Sequence, residues 1–246
     1  MSPIAAGQGV DLAYEEYGSG PAVLLVHGLA GDRLTLAPVA REVTDAGARV
    51  ITYSRRGYDG SSAPEPYLGT TVAEQTADAA ALLQGLDAAP ATVAGDGFGA
   101  LVALDLLLRR GDLVRAAVLL DPPLYALVPE ATRELSDAYE LLRSAVTEGG
   151  PEAGVAAWLA GRADDATLAR VQAAHHAFFA DVAGLATLPV TRRELRAVTQ
   201  PVTVLTGGGT SAATIAAADA IAELLPNVTR SHDGDLAGAT AALLGG

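Results

Sequence analysis

Short apolar runs rich in valine and leucine recur along the chain, and stretches with apolar residues three and four positions apart separate them. The runs are AVLLVHG from residue 22, RVITYS from 49, ATVAGD from 91, RAAVLLD from 115 and PVTVLTG from 201. Continuous apolar runs of this length are typical of strands buried on both faces, as in a parallel sheet. The alternation of such strands with helices predicts an α/β fold with a mostly parallel, doubly wound sheet.

Two regions depart from this rhythm. An early run, GVDLAYEEYG, alternates apolar with polar residues and predicts an exposed antiparallel strand. Residues 129–195 have helical spacing and contain no strand candidate. We therefore predict one α/β core formed by 1–128 and 196–246, with 129–195 inserted as a helical lid over one end of the sheet.

The composition favours a protein that acts on a small molecule. Half of the 246 residues are apolar, enough for a large core, and the formal net charge is −13. Because this charge repels nucleic acid and anionic lipid surfaces, the favoured partner is a small, mostly uncharged substrate. The chain contains no cysteine, which excludes disulfides and thiolate metal sites.

The sequence also carries information about location. No apolar run reaches the roughly 18 residues that a membrane helix needs, and the first residues lack the basic-then-apolar order of a signal peptide. We therefore expect a soluble, cytoplasmic protein with no membrane partner. The oligomeric state is not determined, and a homodimer stays open.

Four motifs stand at the ends of predicted strands. They are HGLAGD after the third strand, YSRRGYDGSS after the fourth, AGDGFGA after the fifth and VTRSHDGD after the last. In this order they resemble the α/β-hydrolase superfamily, and the resemblance covers nearly the whole chain. It implies an α/β-hydrolase fold with a helical lid, but it does not by itself imply activity.

In that superfamily the turn after the fifth strand has the pattern G-x-S-x-G, whose small residues permit a tight turn that exposes the nucleophile. Gly95 and Gly99 match the small positions, so the resemblance places Gly97 where the nucleophile would stand. A register with Asp96 as nucleophile would put Phe98 where a small residue is needed. We therefore interpret Gly97 as a vacant nucleophile position. Asp96 beside it is either a second acid of the site or a surface turn residue.

The resemblance implies the other parts of a catalytic site as well. Leu29 and Phe98 match the residues whose backbone N–H groups form the oxyanion hole. His232 matches the catalytic base, and Asp121, after the sixth strand, is the candidate acid that orients it. The usual acid position after the seventh strand lies in TGGGTS, which contains no acid.

A His-Asp pair without a nucleophile still supplies general acid-base catalysis, on the order of 10²- to 10⁴-fold. The leading hypothesis is therefore cofactor-independent catalysis on an apolar, carbonyl-bearing small molecule. His232 would activate water for hydrolysis, or would remove a substrate proton in lyase or cyclase chemistry such as elimination or cyclisation.

Two alternatives stay open. In the first, the chain is an ordinary serine esterase or lactonase that replacement of the serine by Gly97 has inactivated. In the second, it is a non-catalytic binding or scaffold protein, similar to the N-myc downstream regulated family, which also carries glycine at the elbow. The second alternative requires His232 to be dispensable.

Several side chains are candidates for substrate binding. They are His27, Asp96, Tyr125, Trp158, His176 and Phe179. Aromatic residues of the lid would suit a flat substrate, although aromatic residues at helical spacing are usually packing residues, and His27 is expected chiefly to hold its loop. The pair formed by His175 and His176 lacks a carboxylate at metal-ligand spacing, so we expect no metal site and no other cofactor.

Overall fold

An eight-stranded sheet forms the centre of the protein. A computed structural model describes residues 2–29, 31–129 and 131–245. The strands are β1 (Ile4–Ala6), β2 (Asp11–Tyr17), β3 (Ala22–Val26), β4 (Arg49–Tyr53), β5 (Ala91–Asp96), β6 (Val114–Leu120), β7 (Val202–Thr206) and β8 (Val228–His232). They lie in the order β1-β2-β4-β3-β5-β6-β7-β8, with β1–β2 and β2–β4 antiparallel and the other pairs parallel. This order confirms the predicted mostly parallel sheet.

Helices cover both faces of the sheet. They are α1 (Ala37–Asp45), α2 (Val72–Gly85), α3 (Phe98–Arg109), α4 (Ala131–Leu159), α5 (Asp165–Ala173), α6 (His175–Gly184), α7 (Arg192–Arg196), α8 (Ala212–Leu224) and α9 (Leu236–Ala242). Helices α1 and α9 pack with Val23 and Leu25 on one face, whereas α2, α3 and α8 pack with Leu24 and Val26 on the other. The two sets separate because successive side chains of a strand point to opposite faces.

Strand β2 is antiparallel, as predicted, but it is not exposed along its length. Leu12 and Ala13 are buried. Strand β1 pairs along the outer edge of β2, with Ile4 opposite Ala13, so that β2 becomes an inner strand. The alternating pattern alone did not show that a further strand would cover it.

Strand β5 and helix α3 meet at a close backbone crossing. A Cβ on Gly95 would lie 2.1 Å from the carbonyl oxygen of Gly99, and a Cβ on Gly99 would lie 2.1 Å from that of Val26. Such distances are too short for any side chain, which is why glycine stands at both positions. The crossing fixes the start of α3 directly after the carboxyl end of β5.

The segment predicted as a lid contains helices α4 to α7, and no strand occurs in the described part of 129–195. Helix α4 changes direction at Gly150, which has a left-handed φ of 82° and is followed by Pro151. Proline cannot donate the hydrogen bond that a continuous helix requires, so the two arms of α4 run separately. Val155 and Phe178 lie in a small core of the segment's own.

Candidate functional site

A large cavity lies at the carboxyl ends of the central strands. Its volume is about 1110 Å³, and residues that follow β3, β5, β6, β7 and β8 line one side of it. Glu134, Trp158 and Arg162, from α4 and the connection after it, line the other side. Ligands of open α/β sheets bind at this edge, so the cavity is the candidate site.

Gly97 lies on the cavity wall, between the last residue of β5 and the first residue of α3. Its φ of 53° and ψ of −115° are strained for a residue with a side chain, whereas glycine adopts them readily. A Cβ at this position would have no neighbour within 4 Å. The turn therefore leaves open space in front of the N-terminus of α3.

Two residues of the cavity lining have backbone N–H groups without a hydrogen-bond partner among the described residues. They are Leu29 and Phe98. Phe98 is the first residue of α3, where the partial positive charge of the helix terminus favours an anion. The backbone N–H groups of Leu29 and Phe98 are here called the amide cradle.

Asp96 is the titratable side chain next to Gly97. Asp96 lines the cavity and is partly buried, and its carboxyl group accepts no hydrogen bond from the described residues. Burial, and then the negative charge of Asp121, raise the pKa of Asp96 to about 6. This carboxylate is therefore ionised at neutral pH and still basic enough to take up a proton.

Asp121 also lines the cavity, but its carboxylate holds the turn after β7. Its Oδ1 accepts hydrogen bonds from the Gly207 N–H at 3.0 Å and the Thr210 hydroxyl at 2.7 Å. The backbone of Asp121 has a φ of 47°, a left-handed conformation that aspartate tolerates better than most residues. The negative charge of Asp121 acts on Asp96, while its Oδ1 holds the loop after β7.

The structure does not bring His232 to the site. His232 is the last residue of β8, pairs in register with Thr206, is exposed and is not part of the cavity lining. The described residues form no hydrogen bond to its ring, so the predicted pair with Asp121 is not formed. The strand continues through His232, and the chain turns only afterwards, at Asp233, which has a φ of 55°. Asp235 therefore reaches the cavity instead.

His27 has a structural role, as the sequence favoured. Its ring is buried, Nδ1 donates to the Gly28 carbonyl at 2.8 Å, and Nε2 accepts the Arg55 N–H at 2.9 Å. Burial, with a contribution from the charge of Arg55, lowers the pKa of His27 well below its ordinary value. The ring is therefore neutral and has no free nitrogen for proton transfer.

The remaining substrate-binding candidates divide into two groups. Tyr125 and Trp158 line the cavity, and the Tyr125 hydroxyl lies 3.0 Å from the Thr214 hydroxyl. His176 and Phe179 do not line it, which corrects the prediction for both. His176 is exposed and lies against the ring of His175, and Phe179 packs against Phe178. Spacing on a helix did not reveal which side of α6 faces the cavity.

Sequence reasoning missed four charged residues of the cavity. They are Glu134, Arg162, Asp164 and Asp235. Asp235 caps α9 by accepting the Gly238 N–H at 2.7 Å, and Asp164 caps α5 by accepting the Thr167 N–H at 2.7 Å. Aspartate before a helix is a recognisable capping signal, but it did not indicate a position on the cavity.

The described part of the chain contains neither a cluster of metal-ligating side chains nor a helix that could span a membrane. No group of three or more histidine, cysteine, aspartate or glutamate side chains is arranged to hold a metal ion. No helix within the described ranges combines the length and apolar character needed to cross a bilayer.

Comparison with known proteins agrees with this architecture. A family model described as the alpha/beta hydrolase fold matches residues 21–143, half of the chain. The uncharacterized hydrolase YraK of Bacillus subtilis is 35% identical over 120 residues, which cover 49% of this chain and 44% of that protein. An epoxide hydrolase of Caballeronia sordidicola is 34% identical over 138 residues, which cover 56% and 40%. The esterase EaEST of Exiguobacterium antarcticum superposes with a TM-score of 0.82 at 16% identity over the full length of both chains.

The parallel sheet, the glycine crossing and the cavity at the strand ends define an α/β-hydrolase fold. With the family match, the chain belongs to the α/β-hydrolase family. These two curated relatives are named as hydrolases, and the matched segment spans less than half of the length of each. The solved esterase, at its low identity, shows the shared fold.

Proposed function

We propose that this protein is a hydrolase of small, apolar esters or lactones that uses no side-chain nucleophile. Water, held in the open space at Gly97, attacks the carbonyl carbon directly. Asp96 is the general base, in place of the predicted His232. The observation that supports the proposal is that Asp96, whose pKa is raised to about 6, lines the same cavity as Gly97 and the two cradle residues, Leu29 and Phe98.

The proposed reaction needs only groups that line the cavity. As the water oxygen bonds to the carbonyl carbon, its proton passes to Asp96, and the carbonyl oxygen becomes an anion that Leu29 and Phe98 bind. The tetrahedral intermediate then expels the alcohol oxygen, which takes up the proton from Asp96. Each amide donor contributes roughly 3 kcal/mol to such an anion, and a positioned base contributes roughly 10²-fold or more.

We expect wild-type protein to hydrolyse members of a panel of apolar esters and lactones. Below pH 6, kcat/KM should fall about tenfold per pH unit, because protonation of Asp96 removes the base. Reaction in ¹⁸O-labelled water should place one label in the product carboxylate. Because His232 is exposed and outside the cavity, His232→Ala is the matched control and should retain wild-type turnover.

The outcomes separate the competing functions. Product without ¹⁸O would favour lyase or cyclase chemistry over hydrolysis. Tight binding of carbonyl compounds without turnover would assign a binding role. Loss of activity in His232→Ala would assign the role of general base to His232 and contradict the role of Asp96.

Gly97→Ser tests the alternative of an inactivated serine esterase. The new side chain has room in the cavity, although the positive φ costs about 1 kcal/mol or more. Among the described residues that line the cavity, His27 is the one imidazole, and both its ring nitrogens are engaged. We therefore expect no burst of p-nitrophenol from p-nitrophenyl acetate and no acyl-enzyme by mass spectrometry. A stoichiometric burst would support the esterase alternative.

A further inference from the structure

One amide of the cradle belongs to a peptide group whose carbonyl oxygen accepts two side-chain hydrogen bonds. The N–H of Leu29 and the carbonyl of Gly28 belong to the same peptide group. That carbonyl oxygen accepts two hydrogen bonds, one from Nη2 of Arg55 at 3.0 Å and one from Nδ1 of His27 at 2.8 Å. A carbonyl that accepts strong hydrogen bonds withdraws electron density from its own N–H, which becomes a stronger donor.

The same guanidinium contacts the other cradle residue. Its carbon atom lies 4.8 Å from the centre of the Phe98 ring, a cation–π distance. Its Nε donates to the His27 carbonyl at 3.1 Å, one peptide before that of Gly28. One buried cation therefore contacts the residues on both sides of the cradle.

Arg55 is held in place from the helical segment. Its side chain is fully buried, and its two terminal nitrogens donate to the two oxygens of Asp181, on α6, at 2.9 and 2.6 Å. The Tyr58 hydroxyl donates to the same carboxylate at 2.7 Å. Burial is the largest single effect and disfavours the charge on Arg55, but the combined contributions of Asp181, Tyr58 and Tyr53 exceed it and keep the pKa of Arg55 above its ordinary value. The guanidinium is thus charged and rigid.

We propose that Arg55 is a positioning residue for the amide cradle. It orients the cradle through the His27 and Gly28 carbonyls, and it polarises the N–H of Leu29. The kinetic part of this inference rests on the proposed hydrolysis. The polarisation of the peptide group does not, because it exists in the resting protein.

The experiment compares Arg55→Gln with Arg56→Gln. Arg56 is equally suited as a control, since it is buried and paired with Asp78 at 2.7 Å but contacts neither Gly28 nor the cavity lining. In ¹⁵N-labelled protein, we expect Arg55→Gln to move the Leu29 amide proton upfield, the direction of a weaker donor, and Arg56→Gln to leave it unchanged. On a hydrolysed substrate, kcat should fall about tenfold in Arg55→Gln with KM within about twofold, less than the 10²- to 10³-fold loss on removing a donor outright.

Two further measurements test the inference even if the Arg55→Gln variant does not fold. If Arg55→Gln does not fold, Arg55→Lys replaces it, with the same direction of shift expected. In wild-type protein the Gly28 carbonyl ¹³C should resonate downfield of the other glycines, since it accepts a charged hydrogen bond. An ordinary Gly28 shift, or equal effects of the Arg55 and Arg56 variants on Leu29, would overturn the inference. Absence of wild-type turnover would contradict the proposed function and leave these spectroscopic results to decide the polarisation.

Discussion

Replacing Asp96 with asparagine is expected to lower kcat by at least about 100-fold on any ester or lactone that the wild-type protein hydrolyses, because a general base contributes roughly 10²- to 10⁴-fold. The amide has nearly the size of the carboxylate and would line the same cavity, but it does not accept a proton. The loss should therefore appear in kcat rather than in KM, as measured by steady-state kinetics at pH 7.5. Asp137→Asn, which removes one exposed charge from α4, is the matched control and should behave as wild type.

The same substitution is expected to stabilise the fold at neutral and alkaline pH. The pKa of Asp96 is about 6 in the folded protein and near 3.8 when unfolded, so folding disfavours the ionised form. Wild-type protein carries this penalty in full above pH 6 and loses it as the pH falls from 6 through 3.8, because well below pH 3.8 the carboxyl is protonated in both states. We expect Asp96→Asn to raise the free energy of unfolding by about 1–3 kcal/mol at pH 8 and by nearly nothing below pH 4.

Urea unfolding at both pH values measures this difference, again beside Asp137→Asn. A residue that lowers stability while supporting turnover is typical of an active-site group. Wild-type kcat in Asp96→Asn would remove Asp96 from the mechanism. If Asp96→Asn is less stable than wild type at pH 8, contacts in the folded protein stabilise the ionised carboxylate of Asp96 more than burial disfavours it.

Asp181→Ala is expected to have the largest effect on stability, a loss of about 3–5 kcal/mol in the free energy of unfolding. The substitution leaves the guanidinium of Arg55 charged, fully buried and without its carboxylate. It also removes the acceptor of the Tyr58 hydroxyl and of the Gln75 amide, at 2.7 and 3.2 Å. Urea unfolding at pH 7 measures the loss.

Asp219→Ala provides the comparison, because its carboxylate pairs with Arg230 at 2.8 Å but is about half exposed. Exposed pairs contribute about 0–1 kcal/mol, so this variant should unfold close to wild type. Equal stability of the two variants would show that the buried pair of Arg55 and Asp181 does not stabilise the contact between α6 and the core.

The sequence by itself determined the central parallel strands, the helices between them and the turn at Gly97, but not the edge strand β1. Buried parallel strands are continuous apolar runs, and these patterns are local, so they can be recognised without knowing the fold. The glycines at 95 and 99 likewise indicated a close crossing, which the short Cβ distances confirm. The resemblance to the α/β hydrolases placed the motifs at the ends of β3, β4 and β5, where the structure has them.

Only the tertiary structure decided which polar side chains share the cavity. His232 was assigned from its place after the last strand, but β8 continues through it, and a shift of three residues brings Asp235 to the cavity instead. The basicity of Asp96 was equally hidden, because it arises from burial and from Asp121, 25 positions along the chain. Local pattern fixes where the chain forms a strand or a helix. The side chain that faces a cavity, and the pKa it has there, depend on strand ends, turn geometry and neighbours that are distant in sequence.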